Sequence, residues 1–156
     1  MYYYGLIGGK YHLEEIAFKV CDILGNGSNN VAHKLLVETA GAETHFGTYK
    51  DSTLGAGMGI TQFDHLPFED VKARTRMHHK KALIKSMDID IDLVQWEELR
   101  YNPLLAMIFT RLKYKLVPEE IPELLEDRAK YWKKYYNTEA GKGSVEHYLR
   151  NNSTSV

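Results

Sequence analysis

Two short stretches carry the residue types whose spacing could do chemistry: Glu43-Thr44-His45-Phe46-Gly47 and Gly57-Met58-Gly59-Ile60-Thr61-Gln62-Phe63-Asp64. The first sets a carboxylic acid at the end of an apolar-periodic segment. The second delivers a glycine-flanked Gln and another carboxylate. Cleaving a glycosidic bond requires a proton for the leaving oxygen, and near neutral pH a carboxyl with a raised pKa in a partly apolar pocket can both hold and give it. Leu35, Leu36, Val37, Ala40, Ala42 and Phe46 are suitable neighbours for Glu43. An inverting enzyme also needs a carboxylate roughly 6.5–9.5 Å away to position water, whereas a retaining one brings the pair to about 5–5.5 Å. Asp64 and Asp51 are the candidates. Glycines at 55, 57 and 59 allow positive φ and a close approach of backbone to a ligand, and the Gln62 amide can both donate to and accept from sugar hydroxyls.

Each of these residues has a plainer reading. Glu38 also ends an apolar run and precedes a Thr, so it competes with Glu43 for the acid's role, although no His-x-Gly follows it. Asp64 stands where a helix N-cap would stand, and Asp51 suits a turn. His78 and His79 are adjacent, and on a helix they point about 100° apart with no dependable third ligand nearby, so a solvated basic face with Arg74, Arg76, Lys80 and Lys81 is expected there rather than a metal. Tyr49, Phe63, Tyr101 and Tyr114 could line a sugar cleft or pack the interior. Tyr131, Trp132, Tyr135 and Tyr136, interleaved with lysines, read as core with snorkelling cations or as a binding stripe.

The two motifs together resemble the Glu-Ser-His-x-Gly and Gly-x-Gly-Leu-Met-Gln-Val-Asp signatures of goose-type lysozymes, and more loosely the Glu-Ser and Gly-Leu-Met-Gln motifs of soluble lytic transglycosylases. Thr44 and Thr61 replace the commoner Ser and Met. Asn102-Pro103-Leu104-Leu105-Ala106-Met107-Ile108-Phe109 is similar to the Asn-Ile-x-x-Gly-x-x-Tyr-Leu helix of the transglycosylases, with Ala106 and Phe109 departing from Gly and Tyr. The resemblance covers residues 31–112 or so, and residues 131–143 are similar to the C-terminal part of small phage-encoded muralytic proteins. It implies a mainly α, lysozyme-like domain with a central buried helix and a small loop or β-hairpin around residues 47–64. It also implies a muramidase in which Glu43 is the general acid, Asp64 and Asp51 orient water, and Gln62, Gly57, Gly59, Phe63, Tyr49, Asn102 and Tyr114 hold the sugar. The expected partner is the peptidoglycan glycan strand, met by a monomer without metal, cofactor, nucleic acid or membrane. A lytic transglycosylase is the near alternative, and a non-catalytic helical structural or virion protein is one of a different class.

The elements that must position these residues follow from periodicity. With 156 residues a single core burying about 68–70% of the unfolded surface is expected, so residues 1–150 read as one domain and 151–156 as a disordered tail. Lys plus Arg is 20 against 21 for Asp plus Glu, so no global basic field advertises nucleic acid. Cys21, the single cysteine, excludes an internal disulfide and reads as a small core residue. The N-terminal sequence lacks the pattern of a signal peptide, so synthesis in the cytoplasm and delivery to the wall by another protein, or as part of a virion, are expected. Helices are expected over 11–24, from a cap at Asn30 toward Glu43, from Pro67 to Met87 with Phe68, Val71, Met77, Leu83 and Ile84 inward, and over 92–100. Asn102 and Pro103 open an apolar helix through 116, and Pro118 and Pro122 begin a last long helix to Tyr136 before a terminal turn near 145–149.

Overall fold

The computed structural model describes residues 1–50, 57–139 and 141–153, and among them the chain is mainly helical with no strand. The first helix, α1 (Gly9–Leu24), buries Leu13, Ile16, Ala17, Val20, Cys21 and Leu24, the three-and-four spacing of an amphipathic face, and Gly25 ends it at φ +96°. Helix α2 (Ala32–Thr44) is buried on most sides, so it shares the centre of the domain with α5 (Pro103–Lys115). Asn30 does not cap α2: it sits at φ +58°, and the Asn26 side chain instead takes the His33 N–H at 2.8 Å. At α5 the expected start is found. Asn102 Oδ1 accepts from Leu105 N at 3.1 Å and Pro103 occupies the first turn.

Other boundaries move. The stretch from Pro67 to Met87 is two helices, α3 (His65–Arg74) and α4 (Met77–Met87), parted where Thr75 leaves helical geometry and its hydroxyl turns back to the Val71 carbonyl at 2.6 Å. Phe68, Val71 and Leu83 are buried as expected, but Met77 and Ile84 are 61% and 45% exposed, because the break turns their face outward. Residues 91–101 form two 3₁₀ turns, Ile91–Leu93 and Trp96–Tyr101, rather than one helix. Helix α6 (Leu125–Trp132) starts later than its prolines imply and runs on as a π-helical turn, Lys133–Asn137.

Helix α5 packs against α1, α2 and α3, and its Phe109 ring stacks on Phe68 at 4.6 Å and meets Phe63 edge-on at 5.9 Å. Each such fully buried apolar side chain contributes roughly 1.5–3 kcal/mol. Cys21 lies in this core, where burial pushes its thiol up to about 11, so it is no nucleophile. No described helix is long and apolar enough to cross a membrane.

The last helix, α7 (Val145–Ser153), corrects the expectation of a tail from residue 151. Asn151 is buried, and its amide donates to the Gly41 carbonyl at 2.9 Å; His147 Nε2 donates to the Ala42 carbonyl at 2.8 Å, and Asn152 Nδ2 to the Glu38 carbonyl at 3.0 Å. Of these acceptors the Ala42 carbonyl is one of the last of α2 with no helical donor, whereas that of Gly41 also takes the His45 N–H at 3.0 Å. A run of polar residues reads as solvated in sequence but serves here as the cap of another helix. Replacing Asn151 and Asn152 together by Ala is expected to cost about 1–3 kcal/mol, from the two lost amide bonds. Urea unfolding measures this, and unchanged stability would restore the reading of a dispensable tail.

Candidate active site

Glu43 occupies the last turn of α2, half-buried, and its Oε2 accepts a hydrogen bond from the Trp132 indole Nε1 at 3.1 Å. Behind it the backbone reverses through three consecutive left-handed residues, His45 at φ +49°, Phe46 at +57° and Gly47 at +82°. Two of these are not glycine, and such geometry persists only where the surroundings over-determine it. Here Phe46 is buried, its N–H reaches the Ala40 carbonyl at 3.2 Å, and the Gly47 carbonyl accepts from Tyr3 N at 2.7 Å.

The two motifs meet through Thr44. Its hydroxyl donates to the Ile60 carbonyl at 2.8 Å and accepts from Gly47 N at 3.0 Å, tying the end of α2 to the glycine-rich turn. That turn is closed by a reciprocal pair of backbone bonds between Met58 and Phe63, both 2.9 Å, with Gln62 at φ +47°. It is the small loop expected in this region, closed by a single antiparallel bridge. Asp51 and Gly55 lie outside the described residues.

The glycines and the Gln do serve close approach, but to the protein itself. A Cβ on Gly57 would lie 2.1 Å from the Gln62 carbonyl oxygen, and one on Gly59, which has φ +76°, would lie 2.1 Å from that of Leu99. Gln62 is only 9% exposed, and its Nε2 donates to the Gly59 carbonyl at 3.0 Å, so it braces the turn. Phe63 and Tyr114 are likewise core residues rather than cleft walls. Phe63 packs on Phe109 and Tyr136, and the Tyr114 hydroxyl is 2.9 Å from Thr39 Oγ1. Asn102 is the cap of α5. Tyr49 remains open to solvent, stacked on the His45 ring at 5.0 Å.

Asp64 stands at the N-cap position of α3, exposed, with no side-chain capping bond. Its charge and that of Glu43 converge on Lys113, a residue the sequence reading missed. Burial holds the Lys113 ammonium below its ordinary value, and Asp64 and Glu43 both pull it back up. The ammonium lies 4.2 Å from the Tyr136 ring centre and donates to the Tyr136 carbonyl at 3.2 Å. Tyr136 comes from the π turn, whose altered register lets its hydroxyl donate to the Thr61 carbonyl at 2.6 Å. The Tyr114 and Tyr136 phenols are pushed far up, first by burial and in part by the Glu43 charge, so both remain neutral donors.

The aromatic stripe at 131–136 is thus core around Glu43. Its lysines do not all snorkel: Lys133 Nζ donates to Asn137 Oδ1 at 2.7 Å and to the Thr138 carbonyl at 2.8 Å, closing the π turn. Glu38, the competing acid, is committed elsewhere. Arg128 Nε and Nη2 each donate to one of its oxygens at 2.8 Å, and the Tyr148 hydroxyl adds a third bond at 2.7 Å.

No protein-family model, curated protein or solved structure matches this chain. The chemistry of the site therefore rests on its own geometry: one half-buried carboxyl held by an indole, one exposed carboxylate, and a partly desolvated ammonium that feels both.

Proposed function

We propose that this protein is a peptidoglycan-cleaving glycosidase, a muramidase acting on the β-1,4 bond between N-acetylmuramic acid and N-acetylglucosamine. The observation that carries the reading is the setting of Glu43. It sits in the last turn of a helix, its orientation fixed by the indole N–H of the buried Trp132, within electrostatic reach of Lys113 and of the buried Tyr114 and Tyr136 phenols. Such a bond to Oε2 is accepted by the acid and, more strongly, by its anion, so the carboxyl holds its aim as it gives up a proton.

In this mechanism Glu43 protonates the leaving glycosidic oxygen, water attacks the anomeric carbon, and Asp64 takes the proton from that water. Lys113 supplies a positive charge within electrostatic reach of both carboxylates. Tyr49 is the exposed ring available to a sugar face. Delivery to the wall by another protein, or as part of a virion, belongs to the same proposal.

Incubation with purified peptidoglycan and mass analysis of the soluble products tests the reaction class. Reducing-end muramyl products support hydrolysis, and 1,6-anhydro products would establish transglycosylation, in which the muramyl 6-hydroxyl replaces water. No release would favour a non-catalytic helical protein. Asp64→Asn sharpens the choice. Because Asp64 makes no capping bond, the variant is expected to melt as the wild type does, while muropeptide release falls roughly 10²–10⁴-fold if Asp64 is the general base. An unchanged rate would remove Asp64 from the mechanism.

A further inference from the structure

A second centre of charge lies away from Glu43, in a pocket of about 410 Å³ between the end of α3, the start of α4 and the last turn of α5. Arg74, Arg76, His79 and Lys115 line it, over an apolar floor of Leu112 and Leu116. The sequence reading treated this stretch as a solvated basic face, but His79 is half-buried, and its ring lies 3.9 Å from that of His78 rather than diverging from it.

What marks the pocket is the absence of compensating charge. Arg74 pairs with Asp70 at 2.9 Å, yet no ion pair to Arg76, Lys115 or Arg111 occurs among the described residues. Arg111 lies buried beneath, with its Nε on the Gly25 carbonyl at 2.9 Å and the Cys21 thiol beside it. Burial, followed by Lys115, His78, Arg111 and Arg76, pushes His79 down to about 4, and burial with Arg111 and Arg76 also lowers Lys115. The groups acting on His79 from α4, α5 and the α3–α4 link are Lys115, Arg111, Arg76 and the neighbouring His78, with no carboxylate among them. In a chain of net charge −1 this is a local concentration, not a general basic surface.

We propose that this pocket binds a phosphate group. Several cationic donors converging on one opening suit a dianion with three or more acceptor oxygens better than a single carboxylate, and guanidinium forks match phosphate geometry. Arg74 and Leu116 also line an adjoining groove of about 380 Å³ that contains Lys113, so a phosphate ester seated here can extend its remaining group toward that groove. The inference is independent of the glycosidase reading and needs no wall cleavage to be tested.

The test is a titration of the full chain with inorganic phosphate, and separately with glycerol phosphate, at constant ionic strength against sodium chloride. It is followed by calorimetry and by the His79 imidazole resonances across pH. Saturable binding is expected, with the His79 pKa rising by about 1–3 once an anion sits among these cations. Arg76→Gln with Lys115→Gln should weaken binding at least about tenfold, the worth of one charged hydrogen bond. Arg76 is exposed, so Arg76→Gln alone serves should the double variant fold poorly. An ester that binds as tightly as inorganic phosphate identifies an esterified ligand, and a weaker one identifies the free anion. Equal shifts with chloride, or unchanged affinity in the variants, would overturn the proposal.

Discussion

Glu43→Gln is expected to fold as the wild type does and to lose nearly all release of muropeptides, a fall of roughly 10²–10⁴ from the missing acid alone. The amide has almost the volume of the acid, and its oxygen can still accept from Trp132 Nε1, so the interaction that orients the side chain survives while the transferable proton does not. Circular dichroism and thermal unfolding check the first half of the statement, and product analysis on purified wall material checks the second. Turnover at the wild-type rate would sink the assignment of Glu43.

Glu38→Gln is expected to behave in the opposite way. It leaves the Arg128 guanidinium, whose side chain is 5% exposed, without its carboxylate, and breaking one side of a buried ion pair costs about 3–5 kcal/mol. Arg128 also donates to the Glu123 carbonyl at 2.6 Å, and Tyr148 bonds Glu38 from α7, so the loss propagates to the packing of α6 and α7 on α2. Chemical denaturation should show the deficit, while activity per folded molecule is retained. A Glu38→Gln protein of normal stability and no activity would move the acid's role to Glu38.

How far the sequence reveals such a site depends on the range of the interactions. The start of α5 was legible because Asn102 and Pro103 act on backbone within three residues of themselves. The closeness of the two motifs was legible as a pattern, but the means, a Thr44 hydroxyl on the Ile60 carbonyl, was not. Glycines at 57 and 59 correctly signalled close approach, yet nothing local says whether the visitor is a ligand or, as here, the protein's own carbonyls. The Trp132–Glu43 bond spans 89 positions, and Lys113 is one of three cations, with Arg111 and Lys115, near the end of a largely apolar helix, so nothing local singled either out. Asn151 was misread because composition reports that a residue is polar but not that a helix end awaits it.

The capping of α2 by α7 has a consequence for the timing of synthesis. The bonds that close the end of α2 join residues 105, 110 and 114 positions apart. At about 5–20 residues per second, a growing chain exposes α2 on the order of 5–20 s before α7 exists to meet it. Through that interval the segment bearing Glu43 lacks the amides and imidazole that finish its helix, and closing contacts this distant in sequence form late in folding. A nascent chain is therefore unarmed: the carboxyl proposed as the acid acquires its full platform only when α7, residues 145–153, has been made and has docked.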